Sequence, residues 1–123
     1  MVLGIGVDLV KVQRFNSWIQ NRKLVERFFS AEEVKILDSK VGVAQSLAAR
    51  FAAKEAFGKA LGTGIRNFEL KEVEVKKDSL GKPFLQVSGA AKKLCETVGV
   101  EKIHLSISHE KEYAVAFIVL ETA

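Results

Sequence analysis

One segment in the middle of the chain limits the possible folds more than any other. Residues 44–61 follow the 3.6-residue period of a helix, and small or apolar side chains occupy nearly its whole circumference. One face carries Ala44, Leu47, Ala48 and Phe51, and the other carries Ala53, Ala56, Phe57 and Ala60. A helix that is apolar all round lies in the interior of a protein. The sequence therefore predicts a buried central helix with the rest of the fold packed around it.

The same helix also carries charged residues. Glu55 lies on it one turn beyond Phe51, and a buried carboxylate is costly unless a cation or a metal ion pairs with it. Lys59 follows one turn later, which fits either an ordinary ion pair with Glu55 or a lysine that neutralises a phosphate beside a metal ligand. After the helix, Gly62 and Gly64 enclose a turn whose backbone can approach a ligand closely.

The remaining patterns predict an α+β fold with a mainly antiparallel sheet. Alternating apolar residues indicate strands at 2–10, 70–77, 84–87, 103–109 and 113–121. Further helices are predicted at 12–21, after a capping box at 30–33, and between a cap at Ser88 and a stop at Gly99. With 123 residues, 48% of them apolar, the chain fits one domain that spans residues 1–123.

Composition argues against several classes of protein. The longest apolar run, 114–120, is too short to cross a bilayer, and no basic region precedes the apolar residues at the N-terminus, as a secretory signal would require. A single cysteine, Cys95, excludes an internal disulfide and fits the reducing cytoplasm. The net charge of +4 is compatible with an anionic ligand or an acidic partner and identifies neither.

A second candidate carboxylate, Asp8, closes the first strand. One face of this strand is apolar, and the other face holds Gly4, Gly6 and Asp8. The glycines let a neighbour or a ligand come close, although an aspartate here also fits a plain cap of the next helix. The patterns place both Asp8 and Glu55 against the core, and two such oxygen ligands plus substrate phosphates are a usual set for Mg²⁺.

Two more groups of residues allow either a structural or a functional interpretation. His109 ends a strand in which Ser106 and Ser108 alternate with it, so these hydroxyls could donate to a phosphate while His109 serves structure or binding. Arg14, Trp18 and Arg22 recur every four residues. They form either a solvated helix face with Trp18 turned into the core, or a docking surface for an acidic helix.

Several of these segments, taken in order, resemble the bacterial holo-acyl-carrier-protein synthase family, the short-chain phosphopantetheinyl transferases. The matching segments are GIGVDLVKVQR (4–14), RFFSAEE (27–33), RFAAKEAFGKALGTGIRNFELKEVEV (50–75), GKP (81–83) and LSISHEKEYAVAFIVLE (105–121). The resemblance implies an α+β fold that works as a homotrimer with active sites between subunits. It implies transfer of the 4'-phosphopantetheine arm of coenzyme A to a serine of apo acyl carrier protein, releasing adenosine 3',5'-bisphosphate, with Mg²⁺ as cofactor.

The resemblance also assigns roles to particular positions. Asp8 and Glu55 match metal-binding carboxylates, and Lys59 matches a lysine near the diphosphate. The positions that match the surroundings of coenzyme A are Arg50, Gly62, Gly64, Lys82, Pro83, Ser106, Ser108 and His109. Arg14 matches a residue that contacts the carrier protein, and Trp18 and Arg22 are further candidates for docking. The attacking hydroxyl belongs to the carrier protein, and its proton goes to a carboxylate or to a metal-bound water.

One position departs from the family pattern. Gly58 stands where many members carry serine, so helix propensity falls by roughly 1 kcal/mol relative to alanine and a hydroxyl contact to the ligand is lost.

Two alternatives to this function stay open. A non-enzymatic module for RNA or an acidic protein fits the positive charge but leaves the buried Glu55 unexplained, so we expect no nucleic-acid partner. A related transferase that modifies a carrier domain of a synthase assembly fits the same residues.

Overall fold

The fold is organised around helix α3 (Val43–Leu61), and the computed structural model describes all residues 1–123. The strands are β1 (Val2–Lys11), β2 (Val73–Lys77), β3 (Pro83–Val87), β4 (Lys102–His109) and β5 (Tyr113–Glu121). The other helices are α1 (Arg22–Phe28), α2 (Ala31–Val34) and α4 (Gly89–Val98). Short 3-10 turns occupy Val12–Phe15, Lys35–Asp38 and Leu70–Glu72. None of the helices combines the length and the hydropathy that a membrane crossing requires.

The strands form two antiparallel sheets. In the larger sheet β5 lies between β1 and β4, and Ile118 pairs with Gly6 on one side and with Leu105 on the other. The smaller sheet is the hairpin of β2 and β3, where Val75 pairs with Leu85. The predicted α+β class with a mainly antiparallel sheet is confirmed.

Helix α3 is buried on nearly every side, as its composition predicted. Eleven of its 19 residues are buried, and its closest neighbour is β1. A Cβ atom on Gly4 would lie 2.0 Å from the carbonyl oxygen of Ala60, and one on Gly6 would lie 2.1 Å from that of Ala56. Since no Cβ fits at such distances, the glycine face of β1 is what lets the strand backbone rest directly on the helix.

The opposite face of the larger sheet is apolar and exposed. Leu3, Ile5, Val7 and Leu9 of β1 lie on it, each between 36% and 63% exposed. Phe117 of β5, opposite Val7, is 44% exposed on the same face. A continuous apolar surface of this kind on one chain marks an interaction site.

The segment after β1 differs from the sequence-based prediction. A helix over 12–21 was expected, but the 3-10 turn ends at Phe15 and is followed by turns. The next helix begins later because the side chain of Asn21 accepts a hydrogen bond from the Leu24 amide at 3.2 Å and caps α1. Arg14, Trp18 and Arg22 therefore do not share one helix face.

Trp18 belongs to the core. It is 9% exposed and packs among the rings of Phe15, Phe28, Phe29 and Phe51, with centroids between 4.8 and 6.4 Å away. Of the two interpretations of this residue, the structure supports the tryptophan turned inward. It does not present an exposed aromatic anchor.

Smaller differences occur at two other element ends. The strand expected at 70–77 begins only at Val73, because Glu69 and Glu72 cap a 3-10 turn before it. Ser88 precedes α4, but its hydroxyl makes no cap; the carboxylate of Glu72 instead accepts the amide of Ala90 at 3.0 Å. The stop of α4 at Gly99, with φ of 90°, is confirmed.

Candidate functional site

Two carboxylates meet where the inner face of β1 crosses α3. Asp8 comes from β1, and its side chain is 14% exposed. Lys59 of α3 donates from Nζ to Oδ1 of Asp8 at 2.9 Å and to the carbonyl oxygen of Val7 at 3.1 Å. The ion pair of Lys59 therefore joins the helix to the strand, and it is not the i, i+4 pair with Glu55 considered from the sequence.

Glu55, one turn before Lys59, is half-buried and lies within the electrostatic influence of Asp8. Burial raises the pKa of Glu55, and the negative charge of Asp8 raises that pKa further. Lys59 and Arg14 act in the opposite direction without cancelling the shift. Two acidic groups that repel each other at one spot are suited to hold a cation between them.

The oxygen donors at this spot are few. The structure contains no group of three or more His, Cys, Asp or Glu side chains that could hold a metal ion. An ion at Asp8 and Glu55 must therefore take its other ligands from water or from a bound molecule. This is the situation that Mg²⁺ commonly accepts, since it keeps several waters and binds phosphate oxygens.

A cavity of about 330 Å³ opens beside the first half of α3. Its walls are the start of α3, the β2–β3 hairpin and the end of β4. The polar or charged side chains among its lining residues are Gln45, Ser46, Arg50, Lys77 and His109. Arg50, Pro83 and His109, which are far apart in the sequence, thus lie around one cavity.

Arg50 is held at the wall of this cavity. Its side chain is only 17% exposed, and its Nη1 donates to the hydroxyl of Ser46 at 2.7 Å. Its Nε is buried without a hydrogen-bond partner in the protein. Burial lowers the pKa of Arg50, and the nearby carboxylate of Glu33 counteracts this effect. The unpaired Nε faces Glu33 at 4.0 Å, and the guanidinium brings a positive charge to the cavity wall that is suited to bind an anion.

Other predicted residues lie further from the cavity. Lys82 lines a separate cavity of about 270 Å³ next to it, at the tip of the hairpin. Ser106 and Ser108 are exposed on the outward apolar face of the larger sheet, opposite Phe117 and Val115 of β5. Within one chain these two hydroxyls do not face the same side as the residues that line the cavity.

The turn after α3 has a specific backbone shape. Gly62 and Gly64 have φ of 82° and 64°, and the amide of Gly64 donates to the carbonyl oxygen of Gly58 at 3.0 Å. A Cβ atom on Gly58 would lie 2.5 Å from the carbonyl oxygen of Gly64. The turn after α3 therefore explains the glycine at position 58, because only a residue without a side chain lets this turn pack back onto the helix.

The two arginines proposed for docking are both exposed, but their surroundings differ. The guanidinium carbon of Arg14 lies 4.8 Å from the ring centroid of Phe51, next to the carboxylate pair. Arg22 forms long surface ion pairs with Glu26 and Asp38, each at 3.9 Å. Only Arg14 is thus close to the candidate metal site.

The sequence-based reasoning missed a buried ion pair behind the cavity. Lys54 of α3 is 0% exposed, and its Nζ lies 2.7 Å from Oε1 of Glu33, which is 3% exposed. Lys54 follows Arg50 by one turn on an otherwise apolar helix, and this was the available signal. The sequence marks Glu33 only as the last residue of the capping box, which the structure confirms.

The fold is an α+β domain in which one helix carries a buried arginine beside a cavity and a half-buried glutamate near an aspartate. The model of the 4'-phosphopantetheinyl transferase superfamily matches residues 4–118. The chain therefore belongs to this superfamily, and the family resemblance seen in the sequence is confirmed.

Individual relatives agree with this assignment. A holo-acyl-carrier-protein synthase of Treponema denticola is 49% identical over 122 residues, which cover 98% of this chain and 99% of the relative. The crystal structure of holo-acyl-carrier-protein synthase from Neisseria meningitidis has a TM-score of 0.89 at 36% identity, covering 99% of this chain and 100% of that chain. The enzyme from Bacillus anthracis, solved in complex with CoA (3',5'-ADP), has a TM-score of 0.84 at 37% identity, covering 100% and 99%.

Proposed function

We propose that this protein transfers the 4'-phosphopantetheine group of coenzyme A to a serine of apo acyl carrier protein, releasing adenosine 3',5'-bisphosphate. It is a holo-acyl-carrier-protein synthase, as are its relatives along the full chain. The observation that carries the proposal is the arrangement of charges along α3. Arg50 and Lys59 lie about 13 Å apart along the helix axis and on opposite sides of it, so α3 supplies one positive charge beside the cavity and another beside Asp8.

The nucleotide part of coenzyme A is proposed to bind in the cavity lined by Arg50, Pro83 and His109. Arg50 supplies a fixed positive charge for a phosphate at the cavity wall, and Lys82 adds charge at the hairpin tip. Gly62, Gly64 and Lys59 lie outside this cavity, at the C-terminal end of α3, and the family resemblance assigns Lys59 to the diphosphate. The structure of the Bacillus anthracis relative in complex with CoA (3',5'-ADP) supports coenzyme A as the ligand.

Asp8 and Glu55 are the residues that would hold Mg²⁺. They fit the ion because both offer carboxylate oxygens at one spot, where burial raises the pKa of Glu55 and the negative charge of Asp8 raises it further. When bound, the ion supplies positive charge that stabilises the transferring phosphoryl group. Lys59 holds Asp8 in place in the free protein and donates to the leaving phosphate during transfer.

The exposed face of the larger sheet is proposed to be the contact between subunits of a homotrimer. It is apolar, and closed cyclic assembly covers such a face on every copy. Ser106 and Ser108 lie on this face, so they reach coenzyme A only in a site shared between neighbouring subunits. The number of subunits in this proposal, three, is the number that the family resemblance implies. The single thiol, Cys95, is buried and unpaired, which fits our proposal of a cytoplasmic enzyme.

Mass spectrometry tests the proposed function directly. Apo acyl carrier protein incubated with the enzyme, coenzyme A and Mg²⁺ should gain the mass of one phosphopantetheine group. Asp8→Ala and Glu55→Gln should nearly abolish the gain while the chain stays folded, because each removes one of two carboxylate charges. Glu96→Gln, on the exposed side of α4, is the matched control and should react normally.

Two outcomes of this experiment would contradict the proposal. A wild-type enzyme that leaves the carrier protein unmodified would exclude the transfer itself. Near-normal turnover by Glu55→Gln at saturating Mg²⁺ would leave the transfer intact and exclude Glu55 as a metal ligand.

A further inference from the structure

A buried polar cluster lies directly behind the wall of the proposed coenzyme A cavity. Its members are Glu33 of α2 and Lys54 of α3, with Arg50 at its edge. Replacing a buried ion pair by well-packed apolar side chains is often neutral or stabilising. A gain in stability is therefore a weak explanation for the presence of this ion pair. The geometry that the pair imposes on its neighbours is a stronger explanation.

Lys54 fixes the start of β2. Its Nζ donates to Oε1 of Glu33 at 2.7 Å, to the carbonyl oxygen of Val73 at 2.6 Å and to that of Leu70 at 3.0 Å. All three donors of the ammonium group are thus used. The strand that begins at Val73 continues through Val75 to Lys77, and these last two residues line the cavity.

Glu33 connects three elements with one carboxylate. Oε1 accepts from the amide of Ser30 at 3.0 Å, at the start of α2, as well as from Lys54. Oε2 accepts from the amide of Val75 at 3.1 Å, in β2. The same Oε2 lies 4.0 Å from Nε of Arg50. One side chain therefore sets the distance between α2, α3 and the cavity wall.

The contacts of Arg50 show why this matters. Its hydrogen bond to Ser46 comes from the same helix, so that bond alone does not define where the guanidinium stands relative to the hairpin. The charge of Glu33 is the contact that relates Arg50 to an element outside α3. Arg50 faces Glu33 on one side and the cavity on the other, since it lines both this cavity and the surface cleft above Glu33.

We propose that Glu33 is a positioning residue for coenzyme A binding: it orients the guanidinium of Arg50 and, through Lys54 and the amide of Val75, holds the β2 wall opposite. This inference rests on the proposed function, because it assumes that the cavity takes the nucleotide of coenzyme A. Glu33 touches neither the ligand nor the reacting atoms.

Glu33→Gln is the test, because it keeps the shape of the side chain and removes the charge that faces Lys54 and Arg50. The KM for coenzyme A should rise by about tenfold, the lower end of the loss that is typical when a partner orienting a binding side chain is removed. The kcat and the KM for acyl carrier protein should change far less. Calorimetry should show a matching loss of affinity for adenosine 3',5'-bisphosphate. Glu32→Gln, at the neighbouring exposed position, is the control and should leave both KM values unchanged.

A purely structural role gives a different pattern. It would lower the melting temperature and the folded fraction while the folded molecules keep the wild-type KM, and this result would overturn the proposal. Combining Glu33→Gln with Arg50→Lys gives a further criterion. If Glu33 acts through Arg50, the double variant should lose less affinity than the product of the two single losses. Independent, multiplicative losses would contradict action through Arg50.

Two further results keep the test decisive. If Glu33→Gln does not fold, Glu33→Asp is the second variant. It keeps the negative charge but moves it away from Arg50, so the KM of this variant for coenzyme A should also rise. Failure of both variants to fold would assign Glu33 a structural role alone. If the wild-type protein binds no coenzyme A, the proposed function itself fails; wild-type binding matched by Glu33→Gln overturns only the positioning role.

Discussion

Adding one methyl group to β1 should disturb both the stability and the chemistry of this protein. In Gly6→Ala the new Cβ would lie 2.1 Å from the carbonyl oxygen of Ala56 and 2.7 Å from the amide nitrogen of Ala60. An ordinary contact begins near 3.4 Å, so β1 and α3 must separate locally by about 1.3 Å. Both neighbouring atoms belong to the helix backbone, and no side chain can rotate away to relieve the contact.

The size of the effect follows from this geometry. Overpacking costs about 1–3 kcal/mol, and a backbone contact belongs at the upper end of that range. Alanine recovers roughly 0.5–1 kcal/mol relative to glycine inside a strand, which leaves a net loss of about 2 kcal/mol. For a domain of this size the melting temperature should fall by about 8 °C. Because Asp8 follows on the same face, its displacement from Glu55 by about 1 Å should lower kcat by about 100-fold.

Thermal unfolding and the transfer assay would measure the two effects together. Gly99→Ala is the matched control: it places alanine at φ of 90°, where no atom lies within 4 Å, far from the site. It should lose about 1 kcal/mol from the left-handed backbone alone and keep full activity. If Gly6→Ala had the melting temperature and transfer rate of the wild type, the close contact between β1 and α3 would be refuted.

Three further predictions concern charge and assembly. Because burial and Asp8 raise the pKa of Glu55, Mg²⁺ affinity measured by calorimetry should increase as the pH rises through that pKa, and Asp8→Asn should shift the increase to lower pH. Without metal, the folded state holds this proton more tightly than the unfolded state, so stability should decrease as the pH rises from the unfolded to the folded pKa of Glu55. Arg14→Glu should raise the KM for acyl carrier protein far more than that for coenzyme A, most strongly at low salt; an unchanged carrier-protein KM would place docking elsewhere. Phe117→Glu should reduce the sedimenting mass from about three times 13.5 kDa, and a wild-type monomer that is fully active would exclude the shared site.

Repeating patterns made the central part of the fold predictable. The glycine face of β1 and the alanine-rich circumference of α3 each indicate close packing, and these two patterns place Asp8 and Glu55 against the core. The structure shows that the two elements are neighbours. The capping box at Ser30 is similarly local, because it depends only on residues three positions apart. These features are encoded by neighbours in the sequence.

Contacts between distant segments were not predictable in the same way. Lysine is rarely buried, so the sequence alone favours a surface position for Lys54, whereas Glu33 and two carbonyl oxygens of a distant turn surround it in the fold. The predicted helix face of Arg14, Trp18 and Arg22 was wrong for a related reason. The four-residue spacing is helical, but Asn21 caps a helix that begins later, and Trp18 packs among other aromatic rings. The outward position of Ser106 follows from strand alternation, but its neighbour Phe117 on that face depends on the register with β5.

The pairing of β1 with β5 also determines when this molecule can become functional during its synthesis. Gly6 pairs with Ile118, 112 positions later in the chain, and closing a loop of that length costs about 4 kcal/mol of entropy. While the ribosome still holds residues 113–121, β1 lacks its sheet partner and the side of α3 that packs on β5 is uncovered. A nascent chain therefore exposes part of its most apolar helix until β5 has left the ribosome, and apolar surface exposed in this way is prone to aggregation.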